Sequence, residues 1–260
     1  MRKTILITGS TDGIGLATAQ NLASAGHNIL LHGRNADKLE ATKTKIEGQV
    51  ETYLADLSDM GEVEKLASAV LSAHEKLDIL INNAGVYKTS VTKIGGKDVR
   101  FLVNTFAPLI LTRRLLPIIP GDGRVVNLSS AAQAEVEPDV LRGLRDTNDF
   151  NAYAQSKLAL IIWTQELARN LPEGPVVVAV NPGSLLASKM VKEGFGLAGN
   201  DLSIGADILC SAALDAAFSA VSGKYFDNDV GQFIAPHASL LTPGYAQDIM
   251  RVMDNILTDL

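Results

Sequence analysis

The chain has 260 residues, 47% of them hydrophobic and 20% charged, and a formal net charge of −6. That length fits one large domain with a full core, and the acidic balance argues against nucleic acid or an anionic membrane as the main partner. The single Cys210 excludes an internal disulfide and suits a reducing compartment, and no apolar run approaches the roughly 18 residues of a membrane span, so the expected location is the cytoplasm.

Short apolar runs alternate with longer helical patterns. TILIT at 4–8 leads into the glycine-rich TGSTDGIG, and a helix is expected near 14–25. NILLH at 28–32 follows, then a helix near 36–47, then VETYLA at 50–55. A helix near 60–76 opens on Asp59 with Glu62 three residues on, a capping-box variant. DILIN at 78–82, a helix near 98–118, RVVNLS at 124–129, a helix near 152–171 stopped by Pro172, and VVVAVN at 176–181 complete the series. The runs are apolar on successive residues, as strands covered on both faces must be. Strand, helix, strand, repeated, predicts right-handed crossovers and a doubly wound, Rossmann-type α/β fold with a parallel sheet, as one domain over residues 1–260.

In such a sheet a ligand lies outside the carboxyl ends of the strands. The six ends read TGSTDGIG, GRN, DLS, NNAG, SSAA and NPGS, all glycines and small polar residues. In the first, Gly9 permits a tight turn, and Gly13 and Gly15 let the following helix approach a pyrophosphate, whose charge a helix N-terminus favours. The spacing is G-x-x-x-G-x-G rather than the commoner G-x-G-x-x-G.

The ordered set resembles the short-chain dehydrogenase/reductase family. TGSTDGIG is similar to its glycine motif, Asn82-Asn83-Ala84-Gly85 to its fourth-strand motif, and Asn104 in FLVNTFAPL to its catalytic asparagine. The serine pair in VVNLSSAA, Tyr153-Ala-Gln-Ser-Lys157 and Pro182-Gly183 follow in the family's order, from residue 4 to about 190. The long interval from Ser130 to Tyr153, filled by EVEPDVLRGLRDTND, resembles the retinol-dehydrogenase-like branch. The resemblance implies a nicotinamide-dependent oxidoreductase with Asn104, Ser130, Tyr153 and Lys157 as catalytic residues, and Ser129 as the fallback serine. It implies cofactor contacts from Gly9, Ser10, Thr11, Asp12, Gly13, Ile14 and Gly15; from Arg34, Asp56 and Leu57; from Asn83, Ala84 and Gly85; and from Tyr153, Lys157, Pro182, Gly183 and Ser188. The family often places Thr shortly after Pro-Gly to hold the nicotinamide carboxamide. Here Ala187 stands there, leaving Ser184 and Ser188 to compete for that contact.

Tyr153 and Lys157 are four apart, on one helix face. A free phenol has a pKa near 10 and is a poor base at neutral pH. An ammonium roughly 4 Å away contributes about 4 kcal/mol toward phenolate before desolvation is subtracted. The expectation is a phenol of lowered pKa that gives a proton to a carbonyl or takes one from an alcohol, with Ser130 bonded to the same oxygen.

NAD sites usually offer a carboxylate at the end of the second strand. Here LLHGRN offers Arg34, and no acid before Asp37, which favours NADP(H) over NAD(H); Asp12 is a counter-signal, since some NADP-using relatives carry a base there. His27, His32, His74 and His237 lack metal-ligand spacing and are read as surface or packing residues, with no metal expected. Cys210 reads as core. Residues 185–201, with Gly194, Gly196 and Gly199, read as a lid over an apolar carbonyl or alcohol substrate. The apolar stretches at 101–112 and 158–163 lack a solvated stripe, which predicts a homodimer. Two other classes share this start: a nucleotide-binding sensor or scaffold, and an adenosylmethionine-dependent transferase.

Overall fold

The computed structural model describes every residue of the chain except 188, 189, 191, 193–195 and 197. The six foreseen strands form: β1 (Thr4–Ile7), β2 (Asn28–Gly33), β3 (Val50–Leu54), β4 (Ile79–Asn82), then, after a small hairpin of β5 (Lys93–Ile94) and β6 (Lys97–Asp98), β7 (Arg124–Leu128) and β8 (Val176–Asn181). Two short strands join them, β9 (Tyr225–Asp227) and β10 (Gln232–Ile234). The eight-stranded sheet runs β10-β9-β8-β7-β4-β1-β2-β3, parallel except for β10 against β9. The order reverses at β1, whose neighbours are β2 and β4, so a crevice opens beyond their carboxyl ends.

Alternation is hidden inside the apolar runs. Ile5, Ile7, Ile29, Leu31, Ile79, Ile81, Val126 and Val178 face one layer, where they meet α1 (Gly13–Ser24), α2 (Ala36–Lys43) and α8 (Leu202–Leu214). Leu6, Leu30, Leu80, Val125, Val177 and Ala179 face the other, against α3 (Met60–Ala73), α5 (Ala107–Leu115) and α7 (Asp149–Arg169). Successive side chains of a strand point to opposite faces, so burial on both sides demands an unbroken apolar run. β3 departs from this: it is the edge strand, and its side chains are partly or fully exposed.

Local chemistry corrects two helical expectations. Asp59 caps α3 by accepting from the Gly61 and Glu62 amides, but Glu62 does not reach back to Asp59. Its Oε2 accepts instead from the Asp56 amide at 2.5 Å, fixing the loop after β3. The helix foreseen over 98–118 is broken into α4 (Val99–Phe101), a π-helical turn Leu102–Phe106, α5 and a final 3₁₀ turn Leu116–Ile118. Pro108 has no N–H for the carbonyl of Asn104 four residues earlier, and the Ala107 amide bonds the Leu102 carbonyl, five back. This composite helix, Val99–Ile118, is the one among the described residues long and apolar enough to cross a membrane, and 67% of its most apolar window is buried in the core.

The missing solvated stripe on α7 has its explanation within the chain. α6 (Pro138–Leu141) and α9 (Tyr245–Leu257) complete the elements, and α9 packs on α7. Ile249, Val252, Met253 and Ile256 of α9 lie in one core with Leu158, Ile161, Ile162 and Trp163, all buried. The spacing i, i+3, i+4, i+7 puts the four on one helix face. The apolar residues at 158–163 that prompted a second subunit thus share a core with the chain's own last helix, and those at 101–112 are packed in the same core, with α5 on α3.

Candidate active site at the carboxyl ends of the strands

The glycine loop is fitted to β4 as well as to any ligand. A Cβ on Gly9, whose φ is +65°, would lie 2.9 Å from the Ala84 backbone, and one on Gly15 would lie 2.4 Å from the Gly9 carbonyl and from Asn83 Nδ2. Asn83 Nδ2 donates to the carbonyls of Thr8 (2.8 Å) and Gly9 (3.1 Å), and the Ala84 amide donates to Thr8 Oγ1 at 3.0 Å. The ends of β1 and β4 are thus stitched together, with the N-terminus of α1 beginning at Gly13 behind Asp12, its cap.

One residue here was missed from sequence. His32 is buried, 3% exposed, and is not a surface or passive packing residue. Its Nδ1 accepts from the Gly9 amide at 3.0 Å and its Nε2 lies 3.1 Å from the Ala55 carbonyl. Its own amide donates to Ser10 Oγ at 2.9 Å, and the Ser10 amide donates to its carbonyl at 3.0 Å. Since Nδ1 accepts, Nε2 carries the hydrogen and the ring is neutral. Burial pushes its pKa down to about 4. Its position just before Gly33-Arg34, at a ligand-bearing strand end, was the available signal.

Arg34 is exposed at the end of β2 and makes no hydrogen bond or ion pair among the described residues. Close by in sequence, Lys38 pairs with Asp12 at 3.1 Å, so the acid that counted against NADP(H) faces a base. Beyond β3, Asp56 accepts from the Ser58 amide and hydroxyl at 2.9 and 2.8 Å, and Leu57 is buried.

Asn104 lies within the π turn, and its side chain is fully engaged. Oδ1 accepts from the Val86 amide at 2.8 Å; Nδ2 donates to the Val86 carbonyl at 3.0 Å and to Ser156 Oγ at 2.9 Å. It binds the loop after β4 to α7. Gly85 leaves space beside it: a Cβ there would stand 3.4 Å from Asn104 Oδ1 and 3.5 Å from Lys157 Nζ. Lys157 is buried and donates to the Leu128 carbonyl at 2.7 Å; desolvation lowers its pKa to about 8.

Tyr153 hydrogen-bonds Ser130, and its ring packs 5.3 Å from that of Tyr87. Ser129 is turned elsewhere, its hydroxyl donating to the Lys157 carbonyl at 3.1 Å. The expected lowering of the phenol's pKa does not appear. Burial pushes it up; the Ser130 bond opposes this and Tyr87 adds to it. Desolvation of a phenolate outweighs the Ser130 bond, and the ammonium of Lys157 is held on a backbone carbonyl.

At the end of β8 the Pro182 carbonyl accepts from Asn228 Nδ2 at 3.0 Å, and Gly183 follows. Ser184 gives its amide (2.8 Å) and hydroxyl (2.5 Å) to Asp229, so it is already engaged. Its rival Ser188 lies outside the described residues.

A glycine cradle at a helix N-terminus, an uncommitted guanidinium at the next strand end and a Ser–Tyr–Lys cluster across the crevice fit an extended dinucleotide; the class they define is a nicotinamide-dependent oxidoreductase of doubly wound fold. Residues 3–195 match the family model for short chain dehydrogenases, and the chain belongs to that family. It is 33% identical to human retinol dehydrogenase 13 over 262 residues, 91% of this chain and 79% of that protein. Identity to bovine retinol dehydrogenase 12 is also 33%, over 91% of this chain and 81% of that one. An uncharacterised protein from Mycobacterium paratuberculosis superposes with a TM-score of 0.81 at 28% identity, covering 97% of this chain and 92% of its own. A Burkholderia cenocepacia short chain dehydrogenase in complex with NADP gives 0.70 at 27% identity, over 88% of this chain and 97% of its own. The protein is an oxidoreductase of the retinol-dehydrogenase-like branch, acting on CH–OH or C=O groups.

Proposed function

We propose that the chain is an NADP(H)-dependent dehydrogenase/reductase whose substrate is a small or apolar ketone, aldehyde or alcohol. The observation that carries the cofactor preference is Arg34, exposed at the end of β2 with no partner among the described residues and no acid beside it before Asp37. A guanidinium fits a phosphate with two charge-assisted hydrogen bonds. The NADP complex of the Burkholderia relative supports this reading. Relatives named for retinol and polyprenol, both apolar alcohols, support the substrate class.

A bound nicotinamide would supply the hydride in the reducing direction. Tyr153 gives its proton to the carbonyl oxygen and Ser130 hydrogen-bonds the same oxygen as charge develops. Lys157 faces the space beside Gly85, where it would hold the nicotinamide ribose and favour the phenolate left on Tyr153. Asn104 fixes the loop after β4 against α7 and so sets the depth of that space. The segment 185–201, much of which lies outside the described residues, is kept as the substrate lid. Its described base is pinned by a bridge in which the Ala187 amide donates to the Asn200 carbonyl and the Asn200 amide to the Leu185 carbonyl, each at 2.7 Å.

The same reading keeps the protein in the cytoplasm, with the one span-length helix among the described residues serving the core. It also keeps a homodimer; a monomer in sedimentation at micromolar concentration rejects that part. The test of the whole is NADPH oxidation against a panel of aldehydes and ketones. Turnover of apolar carbonyls is expected. NADPH binding with no turnover across the panel favours a nucleotide sensor instead.

A further inference from the structure

We infer that His32 is the positioning residue of the glycine loop: its neutral ring, and Nδ1 in particular, holds the Gly9–Ser10 turn in the conformation that accepts the dinucleotide. This rests on the dinucleotide reading of the loop. The ring joins three strand ends, since Nδ1 takes the Gly9 amide after β1, Nε2 meets the Ala55 carbonyl after β3, and the backbone belongs to β2. The Gly9 amide is part-buried and takes Nδ1 as its acceptor, and an amide held away from water without an acceptor is costly. Gly9 has no side chain to anchor it and sits at φ +65°, a conformation glycine leaves as easily as it enters. The turn's geometry is therefore set from outside, by the imidazole and by the reciprocal Ser10–His32 bonds. Distortion of this turn moves every amide that follows toward α1. His32 touches no reacting atom and acts through Gly9.

Two substitutions separate positioning from packing. In His32→Asn, Oδ1 stands where Nδ1 stood and keeps the acceptor for Gly9, while the donor to Ala55 is lost. In His32→Gln, the amide nitrogen reaches the Nε2 position and keeps the donor to Ala55, while the acceptor for Gly9 is lost. Each removes one buried hydrogen bond and some volume, so a packing role damages both alike. The expected result is an NADPH Kd and KM raised about tenfold in His32→Gln. His32→Asn stays within about threefold of the wild type, and kcat at saturating NADPH is preserved in both. Equal Kd changes in the two variants, or none in either, overturn the inference while leaving the cofactor site standing. A wild type that binds neither NADPH nor NADH overturns the site reading and the inference with it. Nitrogen NMR of ¹⁵N-histidine-labelled wild-type protein supplies a measurement free of folding defects. A neutral ring with hydrogen on Nε2 at pH 6 supports the assignment, and hydrogen on Nδ1 or a cation at that pH overturns it.

Discussion

The Lys157 ammonium lies 5.7 Å from the centre of the Tyr153 ring and donates to the Leu128 carbonyl at 2.7 Å. The two side chains share a helix face, but the ammonium is anchored to β7. Tyr153 is left to Ser130 for its hydrogen bond. Tyr153→Phe removes that hydroxyl and little volume. Turnover is expected to fall by roughly 10²-fold or more, the usual scale for a positioned proton donor, with folding and NADPH affinity retained. Unaltered turnover in a folded Phe variant removes Tyr153 from the mechanism.

The buried Lys157 gives a pH signature. Its pKa is lowered to about 8, so its charge is lost as pH rises from about 7 to 9. Carbonyl reduction uses the ammonium and a protonated Tyr153, and both are present below that window. The kcat/KM for reduction is expected to hold to about pH 8 and decline above it, tenfold per pH unit at the limit. A profile that stays flat to pH 10 contradicts the role given to Lys157.

Arg34 should separate the two nicotinamides. The phosphate that distinguishes them is far from the hydride, so only a contact there discriminates by affinity. A hydrogen bond to a charged group contributes roughly 1.5–3 kcal/mol, which corresponds to about ten- to hundredfold. Arg34→Ala is expected to weaken NADPH by that factor, leave NADH nearly unchanged, and show a loss that shrinks as salt rises. Isothermal titration of both cofactors against both proteins decides it; equal weakening of the two cofactors rejects the assignment.

Stability should carry the mark of His32. Its pKa is about 4 in the folded protein against 6.5 when unfolded, because burial disfavours the cation, although the nearby Asp56 charge works the other way. Between these values the unfolded chain binds more protons. The stability this ring contributes is therefore complete above pH 6.5 and lost as pH falls through 4, about 3 kcal/mol in all. Denaturation of wild type and His32→Asn at pH 7 and pH 4.5 tests this. The gap between the two proteins is expected to narrow at the lower pH; a gap that widens or holds constant is the contrary result.

The sequence carried the parallel sheet well, for a physical reason. Strands buried on both faces leave unbroken runs such as Ile5-Leu6-Ile7 and Ile79-Leu80-Ile81, and the ligand-bearing ends fall directly after them. β9 and β10, with three residues each, are too short to leave such a pattern. Their places come from pairing with β8 and with each other. The stripe of Ile249, Val252, Met253 and Ile256 was present in the sequence. Without it α7 read as a face waiting for another subunit. The break at Leu102–Phe106 was foreshadowed only by Pro108. The sign of the Tyr153 shift was missed because the attraction of a nearby ammonium is visible in a four-residue spacing, whereas desolvation depends on packing from Tyr87 and distant elements. His32 was missed because its role depends on backbone groups of Gly9 and Ala55, which carry no side-chain signature.

That α9 seals α7 has a consequence for how the chain comes to be folded. During synthesis the strands through β8 emerge first, and with them the apolar flank around Leu158, Ile162 and Trp163. Residues 245–257 leave the ribosome long afterwards. In that interval the nascent chain displays a greasy ridge with nothing on it, the kind of surface that holdase chaperones grip and that neighbouring nascent chains adhere to. Ile249 and Met253 thus close a surface that stays open until their helix is made.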